Sequence, residues 1–138
     1  MSKSQRTFEG RFENLAKIGE YVEGITAKTG LDEKQRYAVQ LAVDEAASNI
    51  IEHAYRDVKD GKIDMTIEHS PQKLVIIVHD EGKPFDPSAV EKFDLELSLE
   101  EMTDRGAGLH LIENIMDEVE FDFNGEKGNT LKMVKILG

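Results

Sequence analysis

The sequence predicts an α+β two-layer sandwich, a mostly antiparallel or mixed sheet covered on one face by about three helices. Three observations carry that prediction. Strand-like segments come in consecutive pairs, 62–68 with 74–78 and 119–123 with 131–136, each pair joined by a short turn. Three stretches, 15–25, 39–54 and 109–116, bring apolar residues together on one helical face. The order βααββ, then αββ after a long connection, holds no internal repeat and no linker, so the 138 residues read as one domain, 1–138.

Thr7, Glu9 and Arg11 alternate with Phe8, Gly10 and Phe12, which predicts a short opening strand. Asn14 is placed to cap the helix that follows. Leu15, Ile18, Val22 and Ile25 mark its apolar face, and Gly30 supplies the stop. Asp32 with Gln35 three residues later resembles a capping box, opening a second helix that runs to about Tyr55. Val39, Val43, Ala46, Ile50 and Ala54 form its core stripe. Glu45, Asn49 and His53 follow at spacing four along the flank, as either a solvated face or part of a site.

Ile63, Met65 and Ile67 alternate with polar residues as a half-buried strand, and Pro71-Gln72-Lys73 turns the chain. The unbroken run Leu74–Val78 suits a central strand and ends in His79-Asp80-Glu81-Gly82. Pro84 and Pro87 bar regular structure, and a long connection reaches Arg105 with one helical turn expected around Ala89–Phe93. Gly106-Ala107-Gly108 then opens the third helix through Leu109, Leu111, Ile112, Ile115 and Met116. A hairpin closes the chain: Val119, Phe121 and Phe123, the turn 124–128, then Leu131 to Ile136.

Charge and composition narrow the function. With 17 Lys+Arg against 28 Asp+Glu the net charge is −11, and no segment is strongly basic, which argues against nucleic acid and anionic membrane as partners. No cysteine is present, which excludes disulfides, thiolate metal sites and a cysteine nucleophile. Neither a signal peptide nor a bilayer-length apolar run is found, so a cytoplasmic protein is expected. Residues 81–104 hold eight acids and two bases, more than half of the net charge.

Several residues have the chemistry of a site. Asp80, ending the most apolar strand, can accept a hydrogen bond from an exocyclic amine, and Gly82 lets a flat ring lie against the backbone. Asn49 offers a side-chain oxygen suited to Mg²⁺, and Glu45 one turn earlier can act as a base. Gly106 and Gly108 at a helix mouth admit an anion to backbone N–H groups, or simply make a turn.

Taken in order, Glu45-x-x-x-Asn49, Asp80-x-Gly82, Gly106-x-Gly108-Leu109 and Gly128-x-Thr130 resemble the motifs of the GHKL ATPase/kinase superfamily with its Bergerat ATP-binding fold. Within it, Glu45–Tyr55, Asp80–Pro87 and Arg105–Ile112 are similar to the anti-sigma-factor serine kinases. One departure is Pro84, where many relatives carry a second glycine. The resemblance implies ATP and Mg²⁺ as cofactors, with Asp80 and Thr130 at the adenine, Asn49 on the metal and Glu45 as general base. It implies that Gly106, Ala107, Gly108 and Leu109 wrap the phosphates, with Arg105 at the terminal one, His53 at the site's edge and residues 83–105 as a lid. The implied partners are a sigma factor and an antagonist of the STAS type, phosphorylated on serine or threonine, with the kinase a homodimer. An ATP-gated binding module without phosphotransfer and a stand-alone ATPase of the same fold are the alternatives.

Overall fold

The computed structural model describes residues 2–56, 58, 60–83, 108–122 and 128–137. Five strands form one sheet: β1 (Ser2–Glu9), β2 (Lys62–His69), β3 (Lys73–Asp80), β4 (Glu118–Asp122) and β5 (Asn129–Ile136). Their order is β1-β2-β3-β5-β4, and every neighbouring pair is antiparallel. The helices are α1 (Leu15–Thr26), α2 (Glu33–Asn49) and α3 (Gly108–Ile115). This is the two-layer α+β fold that the sequence predicts.

The inward faces of the strands carry Phe8, then Ile63, Met65 and Ile67, then Leu74, Ile76 and Val78, then Leu131 and Met133, all buried. Against them pack Ile18 and Val22 of α1, the predicted stripe Val39, Val43 and Ala46 of α2, and Ile112 of α3. Val75 and Val134, directly opposite one another in the register, are buried outside this core. No helix among the described residues is long and apolar enough to cross a membrane.

Three local expectations change. The opening strand runs over Ser2–Glu9, five residues earlier than the alternation around Phe8 suggested. Its pairing with β2 recruits the polar residues Ser2 to Thr7 through backbone bonds that do not depend on side-chain pattern. Asn14 makes no side-chain cap; its Nδ2 donates to the Glu9 carbonyl at 2.9 Å, and a 3-10 turn over Phe12–Asn14 leads into α1. The capping box of α2 forms as predicted: Gln35 N–H donates to Asp32 Oδ1 at 2.8 Å, and Asp32 N–H to Gln35 Oε1 at 3.0 Å. The α-helix, however, stops at Asn49, and Ile50–Ala54 is a π-helical turn, closed by the Tyr55 N–H donating to the Ile50 carbonyl at 2.9 Å.

Candidate functional site

Asp80 is the last residue of β3, with its side chain turned to the helix layer and 1% exposed. Period-two alternation puts it on the same face as Val78 and Ile76, at the point where the core gives way to loops. Its Oδ1 accepts from the Gly82 N–H and from Asn129 Nδ2, both at 2.9 Å. Oδ2 is equally buried and has no hydrogen-bond partner among the described residues. Burial pushes the carboxyl above its ordinary pKa; the bonds from Asn129 and Gly82 and the nearby His79 pull it back, and Glu81 adds to the rise. A buried acceptor without a donor is costly, so this oxygen marks where a donor belongs.

Asn129 faces Asp80 directly across β3 and β5 and is 1% exposed. Its Nδ2 also donates to the Lys83 carbonyl at 3.0 Å, which fixes the amide's orientation and leaves Asn129 Oδ1 as a second buried acceptor without a partner among the described residues. The neighbouring Gly128 has φ +79°, and a Cβ there would fall onto the Asp80 carbonyl oxygen. Gly82 is as confined: its Cβ would lie 2.6 Å from the Ala54 carbonyl oxygen. Two open acceptors in a corner lined by bare backbone fit a flat group with an exocyclic amine, as adenine has.

Thr130 is not part of this corner. The register pairs it with His79, one residue out of phase with Asp80, so its hydroxyl lies on the outer face of the sheet and bonds His79 Nδ1 at 2.8 Å. His79 Nε2 in turn meets Glu81 Oε1 at 2.8 Å. Asn129 therefore occupies the place that the motif assigned to Thr130. Sequence reasoning missed it because the strand was expected to begin at Leu131; carrying the Val78–Leu131 pairing back two residues would have found it.

Glu45 and Asn49 lie one turn apart on α2, with His53 beyond them in the π-turn, and all three are half-buried rather than fully solvated. Burial raises the Glu45 pKa above the ordinary glutamate value, and the like charges of Glu52 and Asp44 raise it further. Burial raises that of Asp44 as well. The Glu45 carboxylate, one turn from the Asn49 carboxamide near the C-terminal end of α2, and that carboxamide are oxygen donors of the kind a hard cation that keeps most of its waters accepts. No cluster of three or more acidic or histidine ligands occurs among the described residues, so such a cation would need oxygens from its ligand as well.

Gly108 and Leu109 begin α3, which packs against α2. Arg105, Gly106 and Ala107, together with most of the proposed lid, lie outside the described residues. The structure thus brings Asp80 and Gly82 together with Asn129, aligns Glu45 and Asn49 on one helix flank, and sets Thr130 apart.

The sequence profile of the histidine kinase-like ATPase domain matches residues 8–135. The chain is 32% identical over 120 residues to the serine-protein kinase RsbW of Bacillus licheniformis, a match covering 84% of this chain and 74% of that protein. Identity to the serine-protein kinase RsbW of Bacillus subtilis is 28% over 120 residues with the same coverage. Among solved structures, the RsbU and RsbW domains of a Mycobacterium tuberculosis protein align with a TM-score of 0.70 at 16% identity. That alignment covers 99% of this chain and 33% of the other, and at such identity it is a likeness of fold. Sheet order, buried Asp80 corner and profile match over residues 8–135 agree: the chain belongs to the histidine kinase-like ATPase domain family.

Proposed function

We propose that the protein is an ATP-dependent serine/threonine protein kinase that acts as an anti-sigma factor. In this reading it phosphorylates a STAS-type antagonist and holds a sigma factor when that antagonist is phosphorylated. The observation that carries the nucleotide part is Asp80, whose Oδ1 is committed to Gly82 and Asn129 while Oδ2 awaits a donor. The kinase part rests on the serine-protein kinases to which the chain is similar and on Glu45, a half-buried carboxylate with a raised pKa at the flank of the site.

Asp80 and Asn129 would bind and orient the adenine, and Gly82 would leave room for its ring. Asn49 would hold Mg²⁺, with His53 at the edge and Arg105 to Leu109 about the phosphates. When bound, ATP supplies the phosphoryl group and Mg²⁺ offsets its charge. Glu45 would take the proton of the acceptor hydroxyl, a task favoured by a pKa moved toward neutrality. Residues 83–105 would cover the nucleotide and exclude water, completing a single domain that works as a cytoplasmic homodimer.

Incubation with labelled ATP, Mg²⁺ and host-cell lysate tests the reading. Label is expected on a serine or threonine of a small STAS protein. Label released only as free phosphate would assign a stand-alone ATPase instead. Nucleotide binding without any transfer would leave a nucleotide-gated binding module.

A further inference from the structure

Tyr55 has no role in the proposed chemistry, yet it ties the two halves of the site together. It follows the π-turn directly and is 5% exposed. Its hydroxyl donates to the Lys62 carbonyl at 2.6 Å and accepts from the Glu81 N–H at 2.9 Å. Burial holds the phenol above its ordinary pKa, so the proton stays available to Lys62 at neutral pH.

The ring itself is fixed between two glycine backbones. A Cβ on Gly61 would lie 2.5 Å from Cε1, and one on Gly10 would lie 2.8 Å from Cδ2. Those glycines are joined by the Gly10 N–H donating to the Gly61 carbonyl at 2.8 Å. With the ring unable to slide, the hydroxyl oxygen is a fixed point against which the Glu81 N–H is set.

That N–H belongs to the peptide plane between Asp80 and Glu81, whose carbonyl end is confined by Gly128. Two residues further on, the Lys83 N–H donates to the Ala54 carbonyl at 2.9 Å, and Ala54 adjoins Tyr55. The end of the π-turn and the Asp80–Lys83 loop are therefore held together by bonds to the neighbouring residues Ala54 and Tyr55. Asn49 lies on the same continuous helical segment, six residues before Tyr55.

We infer that Tyr55 is a positioning residue for nucleotide binding: its hydroxyl sets the peptide plane that aims the Asp80 carboxylate into the base corner. It touches neither the base nor the phosphates in this role. The inference rests on the nucleotide reading above, and it makes a separate statement about the free protein.

Tyr55→Phe removes the one oxygen and keeps the packed ring. By calorimetry, the affinity for ADP and for a non-hydrolysable ATP analogue is expected to fall roughly tenfold, the cost of about one hydrogen bond. Transfer at saturating ATP should stay within about twofold of wild type, so that KM rises while kcat holds. A purely structural role would lower the melting temperature and leave affinity unchanged, which overturns the inference.

Amide exchange without nucleotide provides the independent arm. In the wild-type protein the Glu81 amide is expected to exchange as slowly as those within β3, and in Tyr55→Phe its exchange, with that of Gly82, should accelerate about tenfold. Fast exchange at Glu81 in the wild type, or unchanged exchange in the variant, overturns the positioning role. If the wild type binds no nucleotide while the exchange result holds, the functional reading fails and Tyr55 still sets the loop.

Discussion

The base corner and the helix flank solve opposite problems. At Asp80 the geometry is fixed: two N–H donors meet Oδ1, Asn129 is held by the Lys83 carbonyl, and the backbone closes tightly about the glycines at 82 and 128. Along Glu45, Asn49 and His53 the side chains are half-buried and the surrounding charges repel, with Glu52 and Asp44 both raising the Glu45 pKa. The corner is built before a ligand arrives, with two acceptors, Asp80 Oδ2 and Asn129 Oδ1, left without a donor among the described residues. The flank is left under like-charge repulsion, which the proposed Mg²⁺ would relieve. The two regions thus occupy separate elements, a strand end for the first and a helix for the second.

That separation can be broken by experiment. The largest expected effect is on turnover: Glu45→Ala should lower phosphotransfer by about 10²–10⁴-fold while leaving nucleotide affinity near wild type. Transfer at the wild-type rate would remove Glu45 as the base, and a parallel loss of affinity would show that the two regions are not independent. Next comes Asp80→Asn, which presents an amide donor where an acceptor is needed. Binding of ATP and ADP by calorimetry should fall by about 100-fold or more. An unchanged affinity would place the base elsewhere.

The smallest effect is on stability and sharpens the contrast in charge. Glu45 has a pKa above its ordinary value of 4.5 in the folded chain. The folded state therefore holds this proton more tightly than the unfolded state does. Its contribution to stability is fully present below pH 4.5 and is lost as pH rises through the higher folded value. Glu45→Gln should accordingly melt a few degrees above wild type at pH 7, and the difference should shrink as the pH is lowered toward 4. A variant that is less stable than wild type at pH 7 would mean that the Glu45 charge is satisfied in the fold.

Much of this was legible in the residues themselves. The α2 stripe, the Asp32–Gln35 box and the apolar run ending at Asp80 each repeat a local rule several times, and each appears where expected. Asn129 and Thr130 show where such rules stop. Neighbours in a strand point to opposite faces, and which of the two meets Asp80 depends on pairing register, a non-local property. The opening strand was harder still, because Ser2 to Thr7 are held by backbone pairing along an edge and show no buried alternation. Tyr55 reads as the end of a helix; its part in the loop depends on Gly61 and on Gly10 and Glu81, the last two far away in sequence.

The π-turn at Ile50–Ala54 also sets a length. Each residue of a regular α-helix turns the chain by about 100° and advances it about 1.5 Å. The π-turn closes with an i→i+5 bond where a regular helix uses i→i+4, so removing one residue between 50 and 54 should let the segment rewind as regular helix with Tyr55 still facing nearly the same way. A deletion scan across α2 and this turn should then divide in two: a deletion within 33–49 rotates everything beyond it by about 100° and costs folding, whereas one within 50–54 should be tolerated. In that sense the turn is a place where the segment between Asn49 and Tyr55 can change length by one residue without disturbing the contacts on either side.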